Sequence, residues 1–235
     1  MASALRIGSV ALGDRPRIVA AGGEAEVDAL VAADGADLVE LRVDLFADPT
    51  PEGIVRILGR LRAAGRPIIL TVRSAAEGGR PLPDDRRSAL YQAGLPHADA
   101  IDVEIAAAPL VAALVPRARA AGRTVLLSAH FLDATPPLAT LTGLVERARG
   151  LGADLPKLAA HARDLDDVRT LLEATLAARA GGVVTMAMGT VGALSRVFFP
   201  AAGSLLSYGA VGRPTAPGQL TVTELRALVD RFYPR

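Results

Sequence analysis

A (βα)8 barrel, the TIM-barrel form of the α/β class, is the fold this sequence predicts. Eight short runs rich in Val, Ile and Leu alternate with longer amphipathic stretches, and no linker or change of composition interrupts them. No glycine-rich nucleotide turn follows the first run, which disfavours the runner-up, a doubly wound open sheet. At 235 residues and 51% hydrophobic, the chain can bury one large core, so residues 1–235 are expected to form a single barrel domain.

The expected strands are RIVAAG (17–22), LVELRVDLF (38–46), PIILTVRS (67–74), AIDVEIA (100–106), TVLLSAH (124–130), DLPKLAA (154–160), GVVTMAMG (182–189) and SLLSYGAV (204–211). Before them, ALRIGSVALGDRP is apolar enough for a short hairpin closing the N-terminal face of the barrel. Between the strands lie helical patterns such as EAEVDALVAADG and TPEGIVRILGRLRAAG. The helix after TVLLSAH is expected to take Thr135 as N-cap and Pro136 as its first residue. The next begins near Asp164, with further acids in its first turn. Gly65, Gly122 and Gly181 mark helix ends.

Several function classes recede on composition. A net charge of +1 gives no reason to expect nucleic acid or an anionic membrane as partner. The absence of cysteine excludes disulfides, thiolate metal sites and a cysteine nucleophile, and it suits a cytoplasmic protein. No signal peptide is expected from the first residues. The most apolar long stretch, IAAAPLVAALVP, is proline-broken and too short to span a bilayer.

Barrel active sites lie at the C-terminal ends of the strands, and there the apolar runs are interrupted by charge. Glu40, Arg42 and Asp44 alternate in the second run; Arg73 ends the third, with Glu77 in the loop after it. Asp102 and Glu104 lie in the fourth, His130 ends the fifth and Lys157 sits within the sixth. Buried charges are costly unless paired, so their recurrence on successive strands points to a shared polar pocket. Lys157 is the only lysine among 26 basic residues. An arginine cannot shed its proton, whereas a desolvated lysine can attack a carbonyl. The competing reading is a strand lysine with a buried stem and a hydrated head. The signal for metal ligation is weak, since the three histidines are far apart and His97 and His161 lie in loop or helix-start positions with no HxxxH or HxH spacing; His97 reads as a solvated turn, and no GxSxG elbow is present. One lysine, one strand-end histidine, arginines and carboxylates suit imine catalysis on a keto acid.

Taken in order, ELRVD (40–44), TVRSAAEGG (71–79), SAH ending at His130, LPKLA (155–159), Ser195-Arg196 and TAPGQ (215–219) resemble type I 3-dehydroquinate dehydratases. The resemblance runs from the second strand to near the C-terminus. It implies a (βα)8 barrel, usually a homodimer, that dehydrates 3-dehydroquinate to 3-dehydroshikimate with no cofactor and no metal. It further implies Lys157 as the imine-forming lysine, His130 as the proton-transferring residue and Glu77 as the carboxylate orienting it. Arg196 would bind the substrate carboxylate, while Glu40, Arg42 and Arg73 hold ring hydroxyls and order the site. Thr215 and Gln219 fall in the loop that closes over the substrate. Thr215 departs from an expected serine, and VFFPAAGS (197–204) is more apolar and proline-broken than the resemblance anticipates. Arg42, Arg73 and Arg196 are expected to crowd the lysine and favour its neutral form. Two other readings remain: a Schiff-base aldolase or transaldolase using AMGTVGALS (187–195) as a phosphate loop, and a silent barrel acting as a binding module.

Overall fold

The computed structural model describes residues 5–211 and 219–234. A two-residue antiparallel hairpin, β1 (Arg6–Ile7) and β2 (Val10–Ala11), precedes an eight-stranded parallel sheet. The sheet strands are β3 (Arg17–Gly22), β4 (Leu38–Arg42), β5 (Ile68–Thr71), β6 (Ala100–Glu104), β7 (Thr124–Phe131), β8 (Leu155–His161), β9 (Val184–Met188) and β10 (Leu206–Ala210). The helices between and after them are α1 (Val27–Val31), α2 (Pro51–Ala63), α3 (Asp84–Gly94), α4 (Ala108–Ala120), α5 (Leu138–Gly150), α6 (Leu165–Ala178), α7 (Ser195–Ala202) and α8 (Val222–Phe232). Neighbours in the sheet follow chain order from β3 to β9, with β10 beside β3, as a TIM barrel requires.

Strand alternation sorts each run into two faces. Ile18, Val39, Leu70, Ile101, Leu127 and Leu158 point outward into the layer shared with the helices. Val19, Leu38, Ile69, Ala100, Leu126 and Leu155 fill the interior. Ile7 and Leu12, from the hairpin region, pack against this inner cluster, so the expected N-terminal closure is present. Closure between β9 and β10 is thinner than elsewhere, with one bridge from Val183 to Ser204. The Ser204 hydroxyl supplements it, accepting from the Thr185 N–H at 3.0 Å and donating to the Thr185 carbonyl at 3.1 Å.

Local expectations fail where proline or a turn intervenes. The second run does not remain a strand to residue 46. It ends at Arg42, and a 3-10 turn over Val43–Leu45 carries Asp44 inward. Thr135 does not cap a helix starting at Pro136. Proline disfavours helical backbone in the residue before it, so the Pro136-Pro137 pair delays α5 to Leu138. Thr135 instead donates its hydroxyl to the His161 carbonyl at 2.9 Å. Asp164 does cap α6, accepting from the Asp167 N–H. Gly181 closes a 3-10 turn, and the left-handed residue is its neighbour Gly182, with φ +76°.

Pro200 lies inside α7 and has no N–H to give the Arg196 carbonyl one turn back. The Ser207 hydroxyl, from β10, donates to that carbonyl at 2.6 Å instead. The proline-broken segment is thereby tied to the barrel at Arg196.

The loop after β5 is held by backbone as well. The Gly79 N–H donates to the Ser74 carbonyl at 2.8 Å, and a Cβ at residue 79 would lie 2.1 Å from the Arg73 carbonyl oxygen. Gly79→Ala is therefore expected to destabilise the fold by about 1–3 kcal/mol, as a lower midpoint in urea with an unchanged slope.

Candidate active site

The interior faces of β4 to β8 become charged toward their C-terminal ends, and the charges meet. Lys157 is 3% exposed, in the middle of β8. Its Nζ donates to Asp102 Oδ2 at 2.8 Å and to Glu40 Oε2 at 3.3 Å. The ring of Tyr208 faces the same nitrogen, 4.2 Å from its centroid. Carboxylates, not the arginines the sequence suggested, are thus the nearest charged groups to the amine.

Arg73 organises the wall opposite. Fully buried, it reaches Asp102 at 2.9 Å and Glu104 at 3.4 Å, and it donates to Ser128 Oγ at 2.7 Å. Burial alone would favour its discharge, but Asp102, Glu104 and Glu40 outweigh that and hold it firmly protonated. Burial likewise works against the Asp102 carboxylate, yet Arg73 and Lys157 keep its pKa far below the usual range. Glu104 is shared with Arg87, a buried residue of α3, and it accepts from the Ser74 N–H at 2.7 Å. Tyr91, also from α3, accepts from the Val72 N–H at 2.9 Å and donates to the Asp102 carbonyl. Arg87 and Tyr91 were invisible as site components in the sequence, because DRRSALY reads as an ordinary helix face.

Arg42 grips Asp44 with both arms, at 2.9 and 2.7 Å, and Asp44 Oδ1 in turn accepts from the Arg73 N–H at 3.0 Å. His130 ends the polar row of β7. One oxygen of Glu77 accepts from its backbone N–H at 3.0 Å and lies 2.8 Å from its Nδ1. When Glu77 is ionised, Nδ1 carries the proton and Nε2 is the free base. Burial, then Arg73 and Lys157, push the imidazole well below its ordinary pKa. Burial also pushes Glu77 up to about 7, against Arg73 and with Glu104 and Asp102. A cavity of about 490 Å³ opens over His130, lined by Ala76, Phe131 and residues 132–136.

Arg196, in the first turn of α7, stands apart from this network. Its Nη1 touches the Ala187 carbonyl at 3.4 Å, its Nε is buried without a partner, and among the described residues it meets no carboxylate. Gln219 is half-buried just before α8. Thr215 lies outside the described residues. Among the described residues there is no cluster of three or more His, Cys, Asp or Glu able to hold a metal ion.

The family model described as type I 3-dehydroquinase matches residues 21–233. The chain belongs to the type I 3-dehydroquinase family. It is 34% identical over 231 residues to the 3-dehydroquinate dehydratase of Methanococcoides burtonii, covering 96% of this chain and 98% of that one. The crystal structure of 3-dehydroquinate dehydratase from Geobacillus kaustophilus superposes with a TM-score of 0.90 at 29% identity, covering 100% of this chain and 98% of that one. A type I 3-dehydroquinate dehydratase from Clostridium difficile, crystallised with covalently modified comenic acid, also gives 0.90, at 28% identity over 99% of this chain and 98% of that one. Membership of the type I 3-dehydroquinase family displaces the aldolase reading. The segment 187–195 proves to be the end of β9 and the turn that launches Arg196.

The raised pKa of Glu77 has a measurable consequence. Folding takes up a proton between its ordinary 4.5 and about 7, so its contribution to stability is full below pH 4.5 and lost as the pH rises through about 7. Relative to Glu77→Gln, the wild-type protein is expected to lose roughly 3 kcal/mol over that window. Urea denaturation of both proteins at several pH values measures it.

Proposed function

We propose that this chain is a lyase that dehydrates 3-dehydroquinate to 3-dehydroshikimate through an imine on Lys157, the third step of the shikimate route to aromatic amino acids. The observation that carries the mechanism is the position of Lys157 Nζ, deep in the barrel between two carboxylates and near enough to His130, which Glu77 orients, for its charge to act on the imidazole. Family membership carries the choice of substrate.

His130, kept neutral by burial and nearby cations, is the base that takes a proton as the lysine amine becomes free to attack the ring ketone. The carbinolamine loses water with His130 as proton donor, leaving a protonated imine. That cation is an electron sink, so His130 can remove the neighbouring C–H proton to give an enamine. The enamine expels the β-hydroxyl as water, with the imidazolium as acid, and hydrolysis frees the enone and the lysine. Glu77 orients His130 and compensates its charge. Arg196, which meets no carboxylate among the described residues, binds the substrate carboxylate. Glu40, Arg42 and Arg73 hold the ring hydroxyls or the side chains that meet them, and Gln219 and Thr215 contribute from the closing loop. No cofactor or metal enters any step. A homodimer is proposed on the resemblance, a single catalytic domain on chain length and the unbroken strand–helix alternation, and a cytoplasmic location on the absence of cysteine; among the described residues no helix is long and apolar enough to cross a membrane.

Mixing the protein with 3-dehydroquinate should produce the ultraviolet absorbance of a conjugated enone. Borohydride added during turnover should leave a stable adduct on Lys157, located by mass spectrometry. Lys157→Ala and Lys157→Arg should each abolish adduct and turnover. His130→Ala should slow product formation by about 10²–10⁴-fold while a slowly formed adduct persists. Normal turnover in Lys157→Ala would remove the mechanism.

Arg196→Lys keeps a charge but loses the planar fork. KM for 3-dehydroquinate should rise roughly 10- to 100-fold, and further in Arg196→Ala. Unchanged steady-state kinetics in both variants would place the substrate carboxylate elsewhere.

A further inference from the structure

We propose that Tyr208 is a further residue of this chemistry, its ring face stabilising the positive charge on the Lys157 nitrogen in the protonated imine. The inference rests on reading Lys157 as the amine that forms the imine.

Among the described residues, three groups surround Nζ: Asp102 at 2.8 Å, Glu40 at 3.3 Å and the Tyr208 ring at 4.2 Å from its centroid. The first two act through N–H bonds, and the third does not. An ammonium has three N–H groups and can serve both carboxylates at once. A protonated imine has one, so it can keep at most one of those two hydrogen bonds while still carrying the full charge. A ring face attracts a cation through its quadrupole and requires no N–H. Its contribution therefore survives condensation with the ketone, when part of the carboxylate support is lost.

The placement of Tyr208 fits this role better than that of a packing aromatic. It sits on the inner face of β10, in register with Val19, and is 9% exposed. A buried tyrosine ordinarily directs its hydroxyl to a hydrogen-bond partner. Here the hydroxyl is buried beside Glu40, whose charge is, after burial, the strongest influence raising the phenol's pKa, with Asp102 and a hydrogen bond to Glu40 acting in the same direction. The phenol stays neutral, and its ring face is presented to Nζ. The cation is also desolvated, the setting in which such a contact is worth most.

The test separates ring electrostatics from packing. Tyr208→Phe should keep turnover close to wild type. Phenylalanines bearing one, two and three ring fluorines, placed at position 208 in the full chain, change shape little but drain the ring face stepwise. Turnover and the fraction of enzyme trapped on Lys157 by borohydride should fall in step with fluorination, by roughly 2- to 30-fold across the series, with thermal unfolding unchanged. Tyr208→Leu should fall at least as far as the trifluorinated ring; if that variant does not fold, the fluorinated series decides. A flat series with normal trapping in the wild type overturns the role of Tyr208 and leaves the imine mechanism standing. No adduct on Lys157 in the wild type removes both.

Discussion

The burial of Arg73 is the constraint around which the site is built. A guanidinium sealed inside a barrel is tolerable only if its charge is met, and Asp102, Glu104 and Ser128 meet it directly. Those carboxylates then need further partners. Asp102 takes Lys157, and Glu104 takes Arg87 and the Ser74 N–H. Through Ser74, Glu104 fixes the start of the loop that presents Glu77 to His130. Removing one partner from such a network typically costs about 3–5 kcal/mol, because the others stay buried and unpaired. The site is thus one electrostatic object: the group that holds the lysine's carboxylate also depresses the histidine.

The anion-binding candidate is held differently. Arg196 has no acidic neighbour among the described residues, and its position comes from backbone. Pro200 denies the Arg196 carbonyl its helical partner, and Ser207 supplies one from β10. A segment that looked merely irregular as VFFPAAGS is anchored just before its start, to β9 through Ser195 and to β10 through Ser207 on the Arg196 carbonyl, and at its end to β9 through Ser204 on Thr185. On the proposal that Arg196 binds the substrate carboxylate, an arginine that meets no acid among the described residues, beside a network of paired charges, gives an anionic substrate one direction in which to lie.

Much of this could be read before any coordinates. Aliphatic runs at regular spacing located the eight strands, because a parallel barrel buries both strand faces. Polar residues interrupting those runs at alternate positions located Glu40, Arg42, Arg73, His130 and Lys157, since a charge inside a barrel needs a reason. What escaped was whatever depends on long side chains crossing between elements. Arg87 and Tyr91 reach in from α3, and nothing in the helical period of DRRSALY marks them as different from a solvated face. Tyr208 escaped because an aromatic in an apolar strand reads as core. The identity of the lysine's neighbours was misjudged for a related reason. Which of several interior charges touch is set by strand stagger around the barrel, and a linear spacing does not encode that stagger.

The position of the one lysine also makes the chain its own gauge of global unfolding. A protease that cuts only after lysine has a single target here, between Lys157 and Leu158. That bond lies within β8, paired on both sides by β7 and β9, with the lysine 3% exposed. A protease needs an extended, accessible segment, so fraying of the hairpin, the outer helices or the mouth loops offers it nothing. Only opening of the barrel itself exposes the site, and each such event yields one cut and two fragments of defined length. Where reclosing is fast, the rate of their appearance follows the population of the open barrel.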